Sequence, residues 1–201
     1  MNTIQDRPLI SDLIITHRGT VYPWQCDHMG HMNVMWYAGK FDESSWQLLA
    51  ILGLTAERFR NEGFGMAAVE QSIQYKRELR AGDLITVRSG ILDVGNRSLR
   101  LVHEMRHDTS GELSAAMTAV GVCVDSASRK SRPLPEDVRR SAMFHTYSDD
   151  NANHGASLVG KGDIPRSREV SNLRSDKGHA NRNLVGEILE AMFCPTAEFA
   201  P

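Results

Sequence analysis

The sequence is short of the features that mark a disulfide scaffold, a membrane protein or a nucleic-acid binder. Cys26, Cys123 and Cys194 are its only cysteines. An odd and widely scattered set argues against a disulfide framework. No run approaches the roughly 18–20 apolar residues of a membrane helix. The N-terminal segment carries Asp6 and Asp12 and lacks the apolar block of a secretory signal. The expectation is a cytoplasmic chain with no membrane partner. Charge of one sign is missing as well: 23 basic residues against 25 acidic leave a net charge of −2. No global excess is left to attract nucleic acid. Aromatic residues make up only 6% of the chain, yet Trp24, Trp36 and Trp46 all fall within 23 residues of one another.

What is present is ordinary for a globular protein, with 41% hydrophobic and 24% charged residues in a chain of 201. That length buries a sizeable core without metal or disulfide support. The composition then shifts: residues 145–183 hold nine hydrophobic residues in 39, too few to offset the entropy of ordering them. The expected organisation is a domain over 1–143, a disordered linker over 144–183 and a short C-terminal segment over 184–201. In that last segment Leu184, Ile188, Leu189 and Met192 repeat at helical spacing.

Within the first block, Ile14 to Tyr22 is rich in β-branched residues and stops at Pro23. From Asn33 onward Val34, Tyr37, Phe41, Leu48, Leu49 and Leu52 recur every three to four positions until Gly53. The pattern predicts a long helix with Asn33 as its N-cap. A second helical stretch covers Thr55–Asn61. Strand-like runs follow at Met66–Leu79, Leu84–Leu92, Ser98–His107 and Leu113–Val124, separated by Arg80-Ala81-Gly82-Asp83, Val94-Gly95-Asn96 and Thr109-Ser110-Gly111-Glu112. Four consecutive strands with short connections predict an antiparallel meander, and the inserted helix predicts a sheet wrapped around it. The fold class is α+β.

Residues 21–46, VYPWQCDHMGHMNVMWYAGKFDESSW, carry a resemblance. Asp27, Gly30, His31, Asn33, Tyr37, Phe41 and Asp42 match the signature of hotdog-fold acyl-CoA thioesterases of the 4-hydroxybenzoyl-CoA thioesterase type. The Arg80–Asp83 turn and Asn96-Arg97-Ser98 resemble two further landmarks, so the likeness spans about residues 16–135. The methionines Met29, Met32 and Met35 have no counterpart in that pattern. The resemblance implies an antiparallel sheet around one long helix and hydrolysis of an acyl-CoA substrate to free acid and coenzyme A. It also implies a homodimer or a dimer of dimers with sites between subunits, and no cofactor. It assigns Asp27 as the catalytic carboxylate and the backbone N–H of Val34 as the oxyanion donor. His31, Asn33, Trp36 and Tyr37 are expected at the substrate, and Arg97 and Ser98 at the coenzyme A phosphates.

The residues support that chemistry on their own terms. A carboxylate held in a loop before a helix either attacks a thioester carbonyl or activates water to do so. The first turn of the helix leaves backbone N–H groups unpaired, with partial positive charge suited to an oxyanion. Asp27 reads alternatively as a turn-forming carboxylate, and His31 either orients the loop or fills space in it. Cys26, His28 and His31 lie close in sequence, but no second cluster completes a four-ligand metal set, so no metal is assigned. Cys26 lacks a dedicated His for activation and reads as a small packing residue. Ser44 and Ser45 lack a Gly-x-Ser-x-Gly context, which excludes a serine elbow. Two rival functions share the fold: a non-hydrolytic acyl-binding protein, and a hotdog hydratase or dehydratase. The aromatic residues around Tyr22–Trp46 read either as one packed core or as a pocket favouring a compact or cationic acyl group such as betainyl.

Overall fold

β-Branched content and alternation place Ile14–Thr20 in a strand, β1. In the computed structural model, which describes residues 13–146, a single 3-10 turn at Pro23–Gln25 follows. The long helix α1 then runs over Val34–Ile51. Asn33 caps it as expected, its side chain accepting from the Met35 N–H. A short helix α2 (Ala56–Glu62) is capped by Thr55. Four strands come next: β2 (Phe64–Tyr75), β3 (Leu84–Val94), β4 (Ser98–His107) and β5 (Leu113–Asp125). Residues 144–146, counted in the expected linker, are described, and Thr146 bridges Ile91; the rest of the linker and the C-terminal segment lie outside the described residues.

The five strands form one antiparallel sheet in the order β1-β3-β4-β5-β2. This corrects the simple meander. Only β3, β4 and β5 follow one another, and β2 pairs with β5 rather than β3. The reason lies in residues 76–83, which form a crossover instead of a hairpin turn. The segment leaves β2 through the Lys76 and Arg77 amides, both donating to the Ser114 carbonyl. It buries Leu79 and docks beside the exit of β1, where the Gly82 N–H donates to the Val21 carbonyl and the Val21 N–H to the Asp83 carbonyl. Gly82 sits at φ +97°, which a side chain would resist. The crossover thereby carries the chain across the end of the sheet from the β2 edge to β3, next to β1 at the far edge.

The core lies between α1 and the sheet. Phe41 and Leu48 of α1 are fully buried among Ile85, Ile91, Leu99, Met105 and Met117. Truncating Phe41 to Ala would cost about 3–5 kcal/mol. A third helix, α3 (Glu136–Phe144), was not anticipated from the sequence. Its signal was short: Pro135 at the N-cap, acidic Glu136 and Asp137 in the first turn, and buried Val138 and Ala142 four apart. It packs on β3, and Asp137 pairs with Arg58 of α2 at 2.7 Å.

Candidate active site

The site begins with a loop folded back on itself. Cys26 and Met32 form an isolated antiparallel bridge, and the Asn33 N–H donates to the Gln25 carbonyl at 2.9 Å. Between them the Asp27 N–H donates to the His31 carbonyl and the Gly30 N–H to the Asp27 carbonyl, each at 3.0 Å. Gly30 has φ +77°, so the turn needs a residue free of Cβ strain. The outcome is a five-residue turn, 27–31, clamped at its base immediately before α1.

Asp27 is half-buried at that base. Its Oδ1 accepts from the Met29 N–H at 2.9 Å, whereas Oδ2 has no partner among the described residues. One oxygen fixes the carboxylate and the other remains available. Directly after the turn, Asn33 Oδ1 takes the Met35 N–H at 3.1 Å and the Asn33 carbonyl takes the Trp36 N–H at 2.9 Å. The Val34 N–H, first in the helix, meets no acceptor among the described residues. A carboxylate and an unpaired, positively polarised amide therefore sit on one short stretch of chain. That is the minimum set for addition to a carbonyl and stabilisation of the resulting oxyanion.

The crossover completes the loop's surroundings. His31 Nε2 lies 3.0 Å from Glu78 Oε2, and the Met32 N–H donates to the Leu79 carbonyl at 2.7 Å. Tyr37 is a core residue, 4% exposed. Its hydroxyl donates to the Arg77 carbonyl at 3.5 Å, and its ring meets Tyr75 edge-on at 5.1 Å. Burial pushes its phenol up to about 12. Tyr37 therefore supports the crossover from beneath. Glu78 and Leu79 were missed in the sequence because Met66–Leu79 reads as one strand, whereas the strand ends at Tyr75 and both residues belong to the crossover.

The other expected residues are dispersed. Trp36 is partly buried against the core. Trp24 is 69% exposed and stacks on Tyr22 at 4.4 Å, and Trp46 is 48% exposed. The three tryptophans make neither one core nor one pocket. Arg97 and Ser98 lie beyond Val94, the last residue of β3, whereas the Asp27 loop adjoins its first residue, Leu84, which pairs with Thr20. A strand of that length spans roughly 33 Å, so one chain does not bring Arg97 to Asp27. The Arg97 guanidinium instead holds Ser131, at 2.9 Å to its carbonyl and 3.0 Å to its Oγ. Among the described residues no group of three or more His, Cys, Asp or Glu is placed to hold a metal ion.

Two further features were not read from the sequence. A hydrogen-bonded chain crosses the core from β1 to α1. Thr16 Oγ1 lies 2.6 Å from Ser89 Oγ, Ser89 Oγ 2.6 Å from His103 Nδ1, and His103 Nε2 3.1 Å from Ser45 Oγ. His103 is fully buried, and desolvation holds its imidazole down at about 4. Its only available signal was a histidine in the middle of a strand, flanked by Val102 and Glu104. The chain ends at a groove between α1 and β2, lined among others by Asp42, Ser45, Trp46, Leu49 and Met66. Neither Asp27 nor Val34 lines this groove.

Comparison with known proteins agrees with this architecture. Residues 21–141 match the family model of the thioesterase-like superfamily. The chain is 27% identical over 125 residues to the L-carnitine dehydrogenase/betainyl-CoA thioesterase of Agrobacterium fabrum, a match covering 62% of this chain and 25% of that protein. The match thus spans about a quarter of that longer relative. It is 22% identical over 129 residues to the betainyl-CoA thioesterase of Pseudomonas aeruginosa, covering 64% of this chain and 81% of that protein. Among solved structures, the hypothetical protein SAV2348 from Staphylococcus aureus in complex with CoA superposes with a TM-score of 0.63 at 20% identity, covering 73% of this chain and 96% of that one. Slr0204, a 1,4-dihydroxy-2-naphthoyl-CoA thioesterase from Synechocystis, superposes with a TM-score of 0.59 at 22% identity, covering 64% and 95%. With a family model spanning more than half of its length and this sheet-and-helix architecture, the chain belongs to the thioesterase-like superfamily and has the hotdog fold.

Proposed function

We propose that this protein is an acyl-CoA thioesterase, hydrolysing a thioester to the free acid and coenzyme A. One observation carries the reading: Asp27, anchored through Oδ1 with Oδ2 unengaged, sits at the base of the turn that leads into a helix whose first amide, Val34, has no acceptor among the described residues. In this reading Asp27 attacks the thioester carbonyl or activates water, and the Val34 N–H stabilises the oxyanion. Coenzyme A departs as thiol. A passive acyl-binding protein has no use for a carboxylate beside the thioester. His31 and Asn33 act by shape: His31, tethered to Glu78, closes the turn, and Asn33 aligns the first amides of α1. Trp36 and Tyr37 back the acyl end from the core side. No cofactor takes part.

The active unit is a homodimer or a dimer of dimers. Support comes from the separation of Arg97 and Ser98 from Asp27 within one chain, which a second copy resolves by bringing its own Arg97 and Ser98 to the coenzyme A phosphates. The free edge of β2, with Glu70, Gln71 and Ser72 exposed, offers a surface for pairing. Residues 1–143 carry the activity and 144–201 do not. The two betainyl-CoA thioesterases among the relatives make a compact acyl group the first class to assay. No described helix is long and apolar enough to cross a membrane, in keeping with a cytoplasmic enzyme.

The test is a panel of acyl-CoA esters (betainyl, acetyl, butanoyl, benzoyl and palmitoyl) with thiol release followed by a chromogenic disulfide. Hydrolysis of at least one compact ester with a kcat/KM in the usual enzymatic range of about 10⁴ M⁻¹ s⁻¹ or above is expected. Absence of thiol release from every ester would refute the assignment.

A further inference from the structure

The groove between α1 and β2 has a one-sided chemistry. Its walls are largely apolar, from Leu49, Met66 and their neighbours on β4 and β5; Gln71 on β2 adds one neutral amide, and no Lys, Arg or His lines it. Its charged group is the Asp42 carboxylate, which is exposed and forms no ion pair among the described residues. The Ser45 hydroxyl adds only an acceptor. Its single proton is committed within the protein, with the Phe41 carbonyl at 2.9 Å and His103 Nε2 at 3.1 Å as its neighbours. Beside them stands Trp46, 48% exposed, with an aromatic face suited to a cation. A carboxylate, a hydroxyl lone pair and an indole in an apolar groove match an onium group and repel an anion.

The groove is also too far from Asp27 to share a compact substrate within one chain. Asp42 lies eight residues beyond Val34 on the same helix, about 12 Å along its axis. Only one methylene separates the carbonyl from the nitrogen in a betainyl group. The same face of α1 leaves Met35, Gly39, Asp42 and Trp46 exposed, a strip that a second copy would cover. We propose that Asp42 and Trp46 form the subsite that selects a cationic acyl group, and that this subsite serves the Asp27–Val34 centre of a second copy of the chain. The inference rests on the thioesterase reading for its substrate and adds to it the residues that choose among substrates.

The deciding comparison is betainyl-CoA against its neutral isostere, 3,3-dimethylbutanoyl-CoA, which replaces the quaternary nitrogen by carbon. Asp42→Asn should lower the ratio of kcat/KM values, betainyl over isostere, by about 10–100-fold, and Trp46→Leu should lower it in the same direction. Asp27→Asn should depress both esters together. An unchanged ratio in Asp42→Asn, with its melting temperature intact, overturns the subsite. The shared site is tested by co-expressing differently tagged Asp27→Asn and Asp42→Asn chains and purifying the hybrid. Recovery of betainyl-selective turnover, absent from either parent, supports a site built from two copies, and no recovery overturns it. Tetramethylammonium titrated into the full chain, followed by tryptophan fluorescence, separates this proposal from the activity. Binding that Asp42→Asn weakens, in a protein that hydrolyses no thioester, keeps the subsite and removes the thioesterase reading. Hydrolysis without any such binding does the reverse.

Discussion

The Nε2 of His103 on β4 lies 3.1 Å from the Oγ of Ser45 on α1, and the other ring nitrogen lies 2.6 Å from Ser89 Oγ on β3. The imidazole thus ties the helix to two strands through a fully buried polar bridge. The bridge works with a neutral ring, because each ring nitrogen faces a hydroxyl and none faces a carboxylate. A base held near 4 is also too weak to activate Ser45 as a nucleophile at neutral pH. Its role is structural, and it fixes the hydroxyl that faces the groove.

The pH dependence of stability follows from that bridge. The folded ring titrates near 4 and the unfolded one near 6.5, so between those values the unfolded chain binds more protons. Stability then rises with pH, is complete above about 6.5, and falls as the solution is acidified toward 4. The contribution at pH 5 should be about 2 kcal/mol smaller than at pH 7. Urea midpoints at the two pH values measure it. His103→Gln, which keeps a polar group but does not titrate, should be less stable at pH 7 and show a smaller difference between the two pH values. An equal difference in both proteins would assign the acid sensitivity elsewhere.

Asp27→Asn tests the carboxylate itself. The amide oxygen still accepts from the Met29 N–H, so the turn survives and the melting temperature should move little. Loss of charge and basicity should lower kcat by about 10²–10⁴-fold with KM comparable. A folded variant with near wild-type turnover would remove Asp27 from the mechanism.

Much of this arrangement was legible in the sequence, for identifiable reasons. Asn33 announced the start of α1 because an amide side chain before an apolar three-to-four repeat has few other uses; the choice of Val34 among the unpaired first-turn amides came from the family resemblance. Ser98–His107 was read to the residue because turn signals bracket it on both sides. The strand order was not legible. Hydrogen-bonded neighbours are chosen in three dimensions, and the run Met66–Leu79 reads as one strand ending in the Arg80–Asp83 turn, although the strand stops at Tyr75 and the rest crosses the sheet. The error hid Glu78 and Leu79, which touch the Asp27 loop only because the segment crosses. The groove was hidden likewise, since Asp42 and Trp46 on α1 meet Met66 on β2 through the sheet order alone.

The segment after α3 provides a direct test of the domain assignment. Residues 144–183 are too poor in apolar side chains to contribute a core of their own, and the site residues all precede them. A chain ended after Thr146, which retains the Ile91–Thr146 bridge, should keep its melting temperature within a few degrees and its kcat within about twofold. Loss of turnover with the fold intact would place part of the C-terminal segment at the site.

The tether between His31 and Glu78 tests whether the crossover shapes the site. The two side chains meet at 3.0 Å, with Glu78 largely exposed and His31 partly covered. A contact this open adds little to stability, so Glu78→Ala should leave the melting temperature nearly unchanged. It should still loosen the turn that presents Asp27. Displacing a reacting group by a fraction of an ångström is costly in rate, and a loss of about 3–30-fold in kcat/KM is expected. Glu78→Gln retains a hydrogen-bond acceptor at the same reach and should recover most of that loss. Rescue by Gln separates positioning from charge: if Gln is as impaired as Ala, the negative charge of Glu78 matters rather than the tether. Wild-type activity in both variants would mean that the backbone bond from Met32 to Leu79 alone holds the loop against the crossover.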